Sequence, residues 1–278
     1  MSLGSQIQRL TDSDMMDPIE YPFGVPQESY LWKHGEVLPL ENFGEAEATG
    51  RIAVLAIGSN ASPRQLNRKF LGEPWMPAEG PECEIAVAKV TVVGVDVVYA
   101  AHLARYGSIP VTVVDSPGTK VSLFITWLTN RQFERMNETE RLGSSYFLRA
   151  IYSVEDDHRV LESVYCYVAK EGAAILGDGL LALDGIGVEN GLLARGDQRR
   201  AWDLLAADMS YSSGPDLLAS TLKSDVKRQE VVSHLLDRRI PLAAQTIEEF
   251  PIVSGSAFRR HQGRNHPSVI AAASSSPT

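Results

Sequence analysis

Apolar positions along this chain alternate or run together through its middle and recur with helical spacing toward its end. Ile52-Ala53-Val54-Leu55-Ala56-Ile57 is a continuous apolar run that stops at Gly58-Ser59-Asn60. β-Branched runs then dominate "EIAVAKVTVVGVDVVYAAHL", with Gly94 marking a bulge or bend. "IPVTVVDSPGTKVSLFITWL" reads as a hairpin, two such runs joined through Asp115-Ser116-Pro117-Gly118, residues suited to a tight turn. One helix is predicted at about Asn130–Leu142, and two strands follow in "YFLRAIYSV" and "VLESVYCYVA". Past Lys170 comes a glycine-rich stretch. The helical patterns "DQRRAWDLLAADM" and "DLLASTLKSDVKRQEVVSHLLDRR" follow, punctuated by Ser213-Gly214-Pro215.

Many short strands with few helices predict an α+β fold built on a small mixed β-barrel, with an added C-terminal helical region. The expected divisions are an extended arm over 1–50, the barrel over 51–170, a mostly helical extension over 171–266, and a disordered tail over 267–278.

Two stretches carry candidate chemistry. After Gly58-Ser59-Asn60, Ser62 stands at a helix N-cap, Pro63 at the first helical position, and Gln65 where a capping box needs it. Backbone N–H groups beside a glycine can cradle an anion, and the same residues can equally be a structural turn. The stretch matches neither a P-loop nor a dinucleotide fingerprint. In "NRQFERMNETERLG", helical spacing puts Phe133, Met136 and Glu140 on one face. Glu134 and Glu138 lie opposite, three residues after Arg131 and Arg135. Glu140 is then either a desolvated general base or a fraying helix end paired with Arg141 or Arg149. Tyr165 and Tyr167 share a strand face, as core or as hydroxyl donors to a substrate carboxylate, and Tyr146 opens the preceding strand.

Composition narrows the partners. A formal charge of −9 argues against nucleic acid or an anionic membrane surface, despite the basic stretch Phe258–His266. No apolar run approaches the length of a membrane span. Met1-Ser2-Leu3 is set aside as a possible cloning remnant. Cys83 and Cys166 make neither a disulfide framework nor a zinc site, and His261 and His266 lack the spacing of a helical metal pair. The chain reads as cytoplasmic, acting on a small molecule; a homo-oligomer is left open.

Residues 51–170 resemble the gamma-glutamylcyclotransferase-like family. The shared order is a strand ending in a Tyr-Gly-Ser-Asn loop, here Ile57-Gly58-Ser59-Asn60, then strand, Ser-Pro-Gly and strand. A helix ending Leu-Asp-x-x-Glu-Gly follows, here Met136 to Arg141, and then a Tyr-x-x-Arg strand start, here Tyr146 to Arg149. A closing strand similar to "VYCYV" contains Tyr167. The resemblance implies a small barrel with a central cavity. There the loop binds a substrate α-carboxylate, and Glu140 takes a proton from the α-amine as it attacks its own γ-carbonyl, releasing an amine and 5-oxoproline. Ile57, Gly58, Ser59, Asn60, Tyr146 and Tyr167 would contact substrate, and no metal or cofactor is implied. The sequence departs from the pattern at Ile57, at Arg141 and in the residues after 170. A small-carboxylate-binding module and an amide or ureido hydrolase on the same barrel are the alternatives.

Overall fold

The computed structural model describes residues 16–41, 43–151, 154–155, 160–161 and 164–242. Met1-Ser2-Leu3, the basic stretch with His261 and His266, and the tail 267–278 lie outside them. Strands β1 (Tyr30–Lys33), β2 (Glu36–Pro39), β3 (Ile52–Ala56), β4 (Glu84–Tyr99), β5 (Val111–Leu128), β6 (Tyr146–Ile151) and β7 (Val164–Ala169) supply most of one sheet. The helices of two turns or more are α1 (Pro63–Phe70), α2 (Asn130–Thr139), α3 (Gln198–Asp208), α4 (Gly214–Lys223) and α5 (Asp225–Asp237).

From one edge the sheet runs Arg195–Gly196, Ala182–Leu183, β4, β5, β3, β7, β6. β3 lies antiparallel to β5 and parallel to β7, with Val54 opposite Tyr165 and Leu55 opposite Cys166. Among the described residues no pairing joins β6 to the far edge, so the expected closed barrel is instead an open, bent sheet. Closure needs two edges of matching stagger, and the far edge here is a strand of two residues.

The expected hairpin at Asp115–Gly118 does not form. β5 is one strand, and both of its halves pair with β4: Val111–Asp115 with Val95–Tyr99, and Lys120–Trp127 with Ala86–Val93. Ser116–Thr119 bulge out opposite Gly94, where the register shifts as the sequence predicted. Gly118 takes a positive φ of 82°, Ser116 and Thr119 share a hydrogen bond of 2.7 Å, and Thr119 Oγ1 donates to the Asn190 carbonyl at 3.1 Å. Turn chemistry is local and serves a bulge as readily as a hairpin; the long β-branched register on β4 decides between them.

Two further readings change. Ser62 caps α1 by backbone position, but its hydroxyl donates to the Phe23 carbonyl at 2.6 Å, so the capping box expected there is absent. A capping box forms instead at Thr129 and Gln132, fixing the start of α2. The single helix expected after Pro215 is two, because Ser224 takes an extended conformation and its hydroxyl caps α5. The core lies on both faces of the β4–β5 ribbon. On one face Leu66 and Phe70 of α1 pack with Phe133 and Met136 of α2. Each such side chain contributes roughly 1.5–3 kcal/mol by burial, and together they fix the approach of α1 to α2. On the other face Trp202, Leu205, Leu217 and Leu235 seat α3–α5 against the sheet. Among the described residues no helix is long and apolar enough to cross a membrane.

Candidate functional site

The loop after β3 is shaped by a tyrosine from far upstream. Gly58 has no room for a Cβ, which would collide with the Tyr21 hydroxyl and press on Val111. The Tyr21 hydroxyl lies beside the backbone of Ser59 and of Val111. The Tyr106 hydroxyl lies near the Ser59 side chain. Residues Ser59–Ala61 make one 3₁₀ turn, whose first internal bond runs from the Ala61 N–H to the Gly58 carbonyl at 3.2 Å. The N–H groups of Ser59 and Asn60 precede that bond, so the turn itself leaves them unsatisfied. The Asn60 N–H is thus one donor that the turn leaves facing the cavity. Ile57 is buried in the core beneath the loop.

Glu140 reaches this loop from the C-cap of α2. The helix ends at Thr139 rather than Leu142 because Arg141 adopts a left-handed conformation, φ 54°. Glycine takes that conformation freely, whereas arginine holds it under strain of about 1–3 kcal/mol. The turn places Glu140 Oε1 in contact with the Lys69 ammonium and 3.2 Å from Asn60 Nδ2. Neither Arg141 nor Arg149 is the partner of Glu140. The Lys69 side chain is 1% exposed and that of Glu140 14%. The ammonium also lies 3.1 Å from Met136 Sδ. Burial pushes Lys69 below the usual lysine range, and the charge of Glu140 pulls it back up. Asn60 Oδ1 is buried with no hydrogen-bond partner among the described residues.

These groups face a cavity of about 550 Å³, within the usual range for small-molecule sites. Ile57, Gly58, Ser59, Asn60, Glu140, Tyr146 and Tyr167, the seven site residues expected from sequence, all line it. Tyr167 donates to Asn137 Oδ1 at 2.5 Å, and Tyr146 stands edge-on to the His102 ring, with centroids 5.9 Å apart. Burial, and behind it the charge of Glu140, holds the hydroxyls of Tyr146 and Tyr167 well above the usual tyrosine range. Tyr106 is pushed up to about 12, mainly by burial. All three therefore remain proton donors at neutral pH.

Reasoning from the sequence missed Lys69, Tyr21, Tyr106 and His102. Lys69 left a faint trace: it stands three residues after Leu66 and beside Phe70, on the apolar side of α1. No short-range pattern marks Tyr21 or Tyr106. Elsewhere on α2, Arg135 pairs with Glu138 at 3.2 Å as expected, while Arg131 lies over the Trp75 ring. Cys83 and Cys166 are buried free thiols.

No family model and no curated protein matches this chain. Among solved structures it is similar to a gamma-glutamyl cyclotransferase, at 10% identity and a TM-score of 0.35, over 66% of this chain and 99% of the other. It is also similar to an uncharacterized protein from Homo sapiens, at 11% identity and a TM-score of 0.35, over 66% of this chain and 98% of that one.

Proposed function

We propose that the cavity cyclises a γ-glutamyl amine to 5-oxoproline, with Glu140 as general base. The observation that carries this reading is the meeting of Glu140 with Asn60, 80 positions apart in sequence, at the wall of one small-molecule cavity. Lys69 and Asn60 both engage Oε1, leaving Oε2 to accept a proton. The substrate α-carboxylate would take the Asn60 N–H and the buried tyrosine hydroxyls. The α-ammonium gives a proton to Glu140, and its nitrogen attacks the γ-carbonyl carbon. The ring N–C bond forms and the γ-amide C–N bond breaks; the attacking nitrogen gives up a second proton through Glu140 as its bond to carbon forms, and the departing nitrogen takes both protons and leaves as an ammonium. Closing a five-membered ring within one molecule needs chiefly positioning and one well-placed proton carrier.

One feature favours a second reading, a small-carboxylate-binding module: Glu140 already has a buried counter-ion. The test is 5-oxoproline formation from a panel of γ-glutamyl amines, followed by mass spectrometry, for the wild type and Glu140→Gln. Removing the carboxylate leaves the Lys69 ammonium buried without a partner, so Lys69→Met/Glu140→Gln serves as the folded control. Product from the wild type and none from either variant supports the base. Product from all three removes Glu140 from the chemistry, and ligand binding without product from the wild type favours the binding module.

A further inference from the structure

The charge at the mouth of the cavity is opposite to that of the chain. The protein carries −9 overall, yet Arg68 of α1, Arg105 of the β4–β5 loop, Arg141 after α2 and Arg228 of α5 all line this one cavity. The acid among the lining residues, Glu140, already pairs with Lys69. Among the described residues, the guanidinium groups of Arg105 and Arg141 make no hydrogen bond or ion pair. Arg68 uses its Nε on Gln65 and lies 5.6 Å from the Tyr106 ring centroid. Arg228 spends one terminal nitrogen on the Leu103 and Ala104 carbonyls, at 3.3 and 2.6 Å. Asp225 acts on it electrostatically without forming an ion pair. Much of the fork geometry that suits carboxylate or phosphate therefore remains unspent.

We infer that the mouth is an anion subsite for the distal part of the ligand, formed by Arg68, Arg105, Arg141 and Arg228. Its occupant carries two or more acidic groups, carboxylate or phosphate, beyond the carboxylate held at Asn60. This deepens the cyclisation reading: the released amine is itself a polyanion, and γ-glutamyl derivatives of neutral or cationic amines are poor substrates. Four guanidinium groups in a confined mouth repel an ammonium and gain nothing from an alkyl group. A cavity of about 550 Å³ limits the occupant to a small molecule.

Glutaryl amides keep the carboxylate and amide of a γ-glutamyl compound but lack the α-amine, so they cannot cyclise. Calorimetric titration of the wild-type protein with N-glutaryl-methylamine, N-glutaryl-glycine and N-glutaryl-glutamate reads the subsite directly. Affinity is expected to rise about tenfold with each added carboxylate at low salt, and that gain to shrink as salt is added. Arg105→Gln and Arg141→Gln should weaken the glutamate compound more than the methylamine compound, and Arg105→Lys should restore part of the loss. Equal affinity across the series, tightest binding of the methylamine compound, or no binding at all overturns the subsite. Turnover separates the two proposals. Graded binding with no 5-oxoproline from γ-glutamyl-glutamate leaves the subsite standing and removes the cyclisation. Equal 5-oxoproline from γ-glutamyl-glutamate and γ-glutamyl-methylamine removes the subsite and leaves the cyclisation standing.

Discussion

Two buried acid–base pairs divide the labour of this molecule. Asp96 of β4 is fully buried, and a terminal nitrogen of Arg195 meets both its oxygens, at 2.7 and 2.8 Å. The Val97 N–H adds a further donor at 2.8 Å, and Arg195 also donates to the Leu183 carbonyl at 2.6 Å. Both carboxylate oxygens are engaged, and the pair ties the strand at Arg195–Gly196 to the centre of the sheet. Lys69 and Glu140 differ. Both their bonds to protein donors converge on Oε1, and the carboxylate stands at a cavity wall with partial exposure. A pair that satisfies both oxygens holds strands; a pair that leaves one oxygen uncommitted can exchange a proton with a ligand.

The sharpest break in this comparison is Asp96→Ala. It leaves the partly exposed Arg195 guanidinium without its acid, empties a fully buried site in the centre of the sheet and unties the strand at Arg195, and should cost about 3–5 kcal/mol in urea unfolding. Lys69→Met should cost less, about 2–3 kcal/mol, because the freed carboxylate can be hydrated from the cavity. Lys69→Met/Glu140→Gln should recover most of that loss, whereas Arg195→Met added to Asp96→Ala should recover little if strand tethering dominates there. Equal recovery at both sites would erase the distinction.

Gly58→Ala forces a methyl group onto the Tyr21 hydroxyl and Val111. We expect a stability loss of about 1–3 kcal/mol and a larger proportional loss of ligand affinity, read by titration with N-glutaryl-glycine. Unchanged affinity would detach the loop from binding.

His102 reports on the cavity's charge. Burial first, then Arg141 and Arg228, hold it below its ordinary 6.5, while Glu140 and Glu171 pull it the other way. The unfolded chain therefore takes up this proton from about pH 6.5 downward, before the folded protein does. Stability should fall as pH drops through that window and level off below the folded value. His102→Gln should flatten this limb of a melting-temperature profile, and an unchanged slope would show that other groups set it. The smallest effect belongs to Arg64–Glu20, whose side chains are about half exposed. Glu20→Gln should change stability by no more than about 1 kcal/mol in a urea melt.

What could be read in advance followed from local pattern. The end of β3, the helix carrying Glu140 and the strands with Tyr146 and Tyr167 each announce themselves within a dozen residues. Their order carries the family resemblance, and that resemblance implied a common cavity. The partners of those residues were not legible. Lys69 looks like an ordinary cation in "NRKF", and only its spacing from Leu66 hints at an inward side chain. Tyr21 and Arg228 reach the cavity through tertiary packing, which no window of sequence contains. The missed bulge has the same root: Asp115–Gly118 carries turn residues, but pairing with β4 over many residues overrules them. Arg141 shows the converse, a residue unsuited to its conformation and held there by the turn that delivers Glu140.

The cavity is bounded at one side by Tyr21 and at another by Arg228, which gives it a timetable. During synthesis the sheet strands emerge first, and the loop at Gly58 can rest on Tyr21 early. At about 5–20 residues per second, roughly 10–40 s separate the appearance of these two walls. Until α5 has left the ribosome the cavity lacks the wall that Arg228 supplies, so a nascent chain that stops short of it presents an incomplete site.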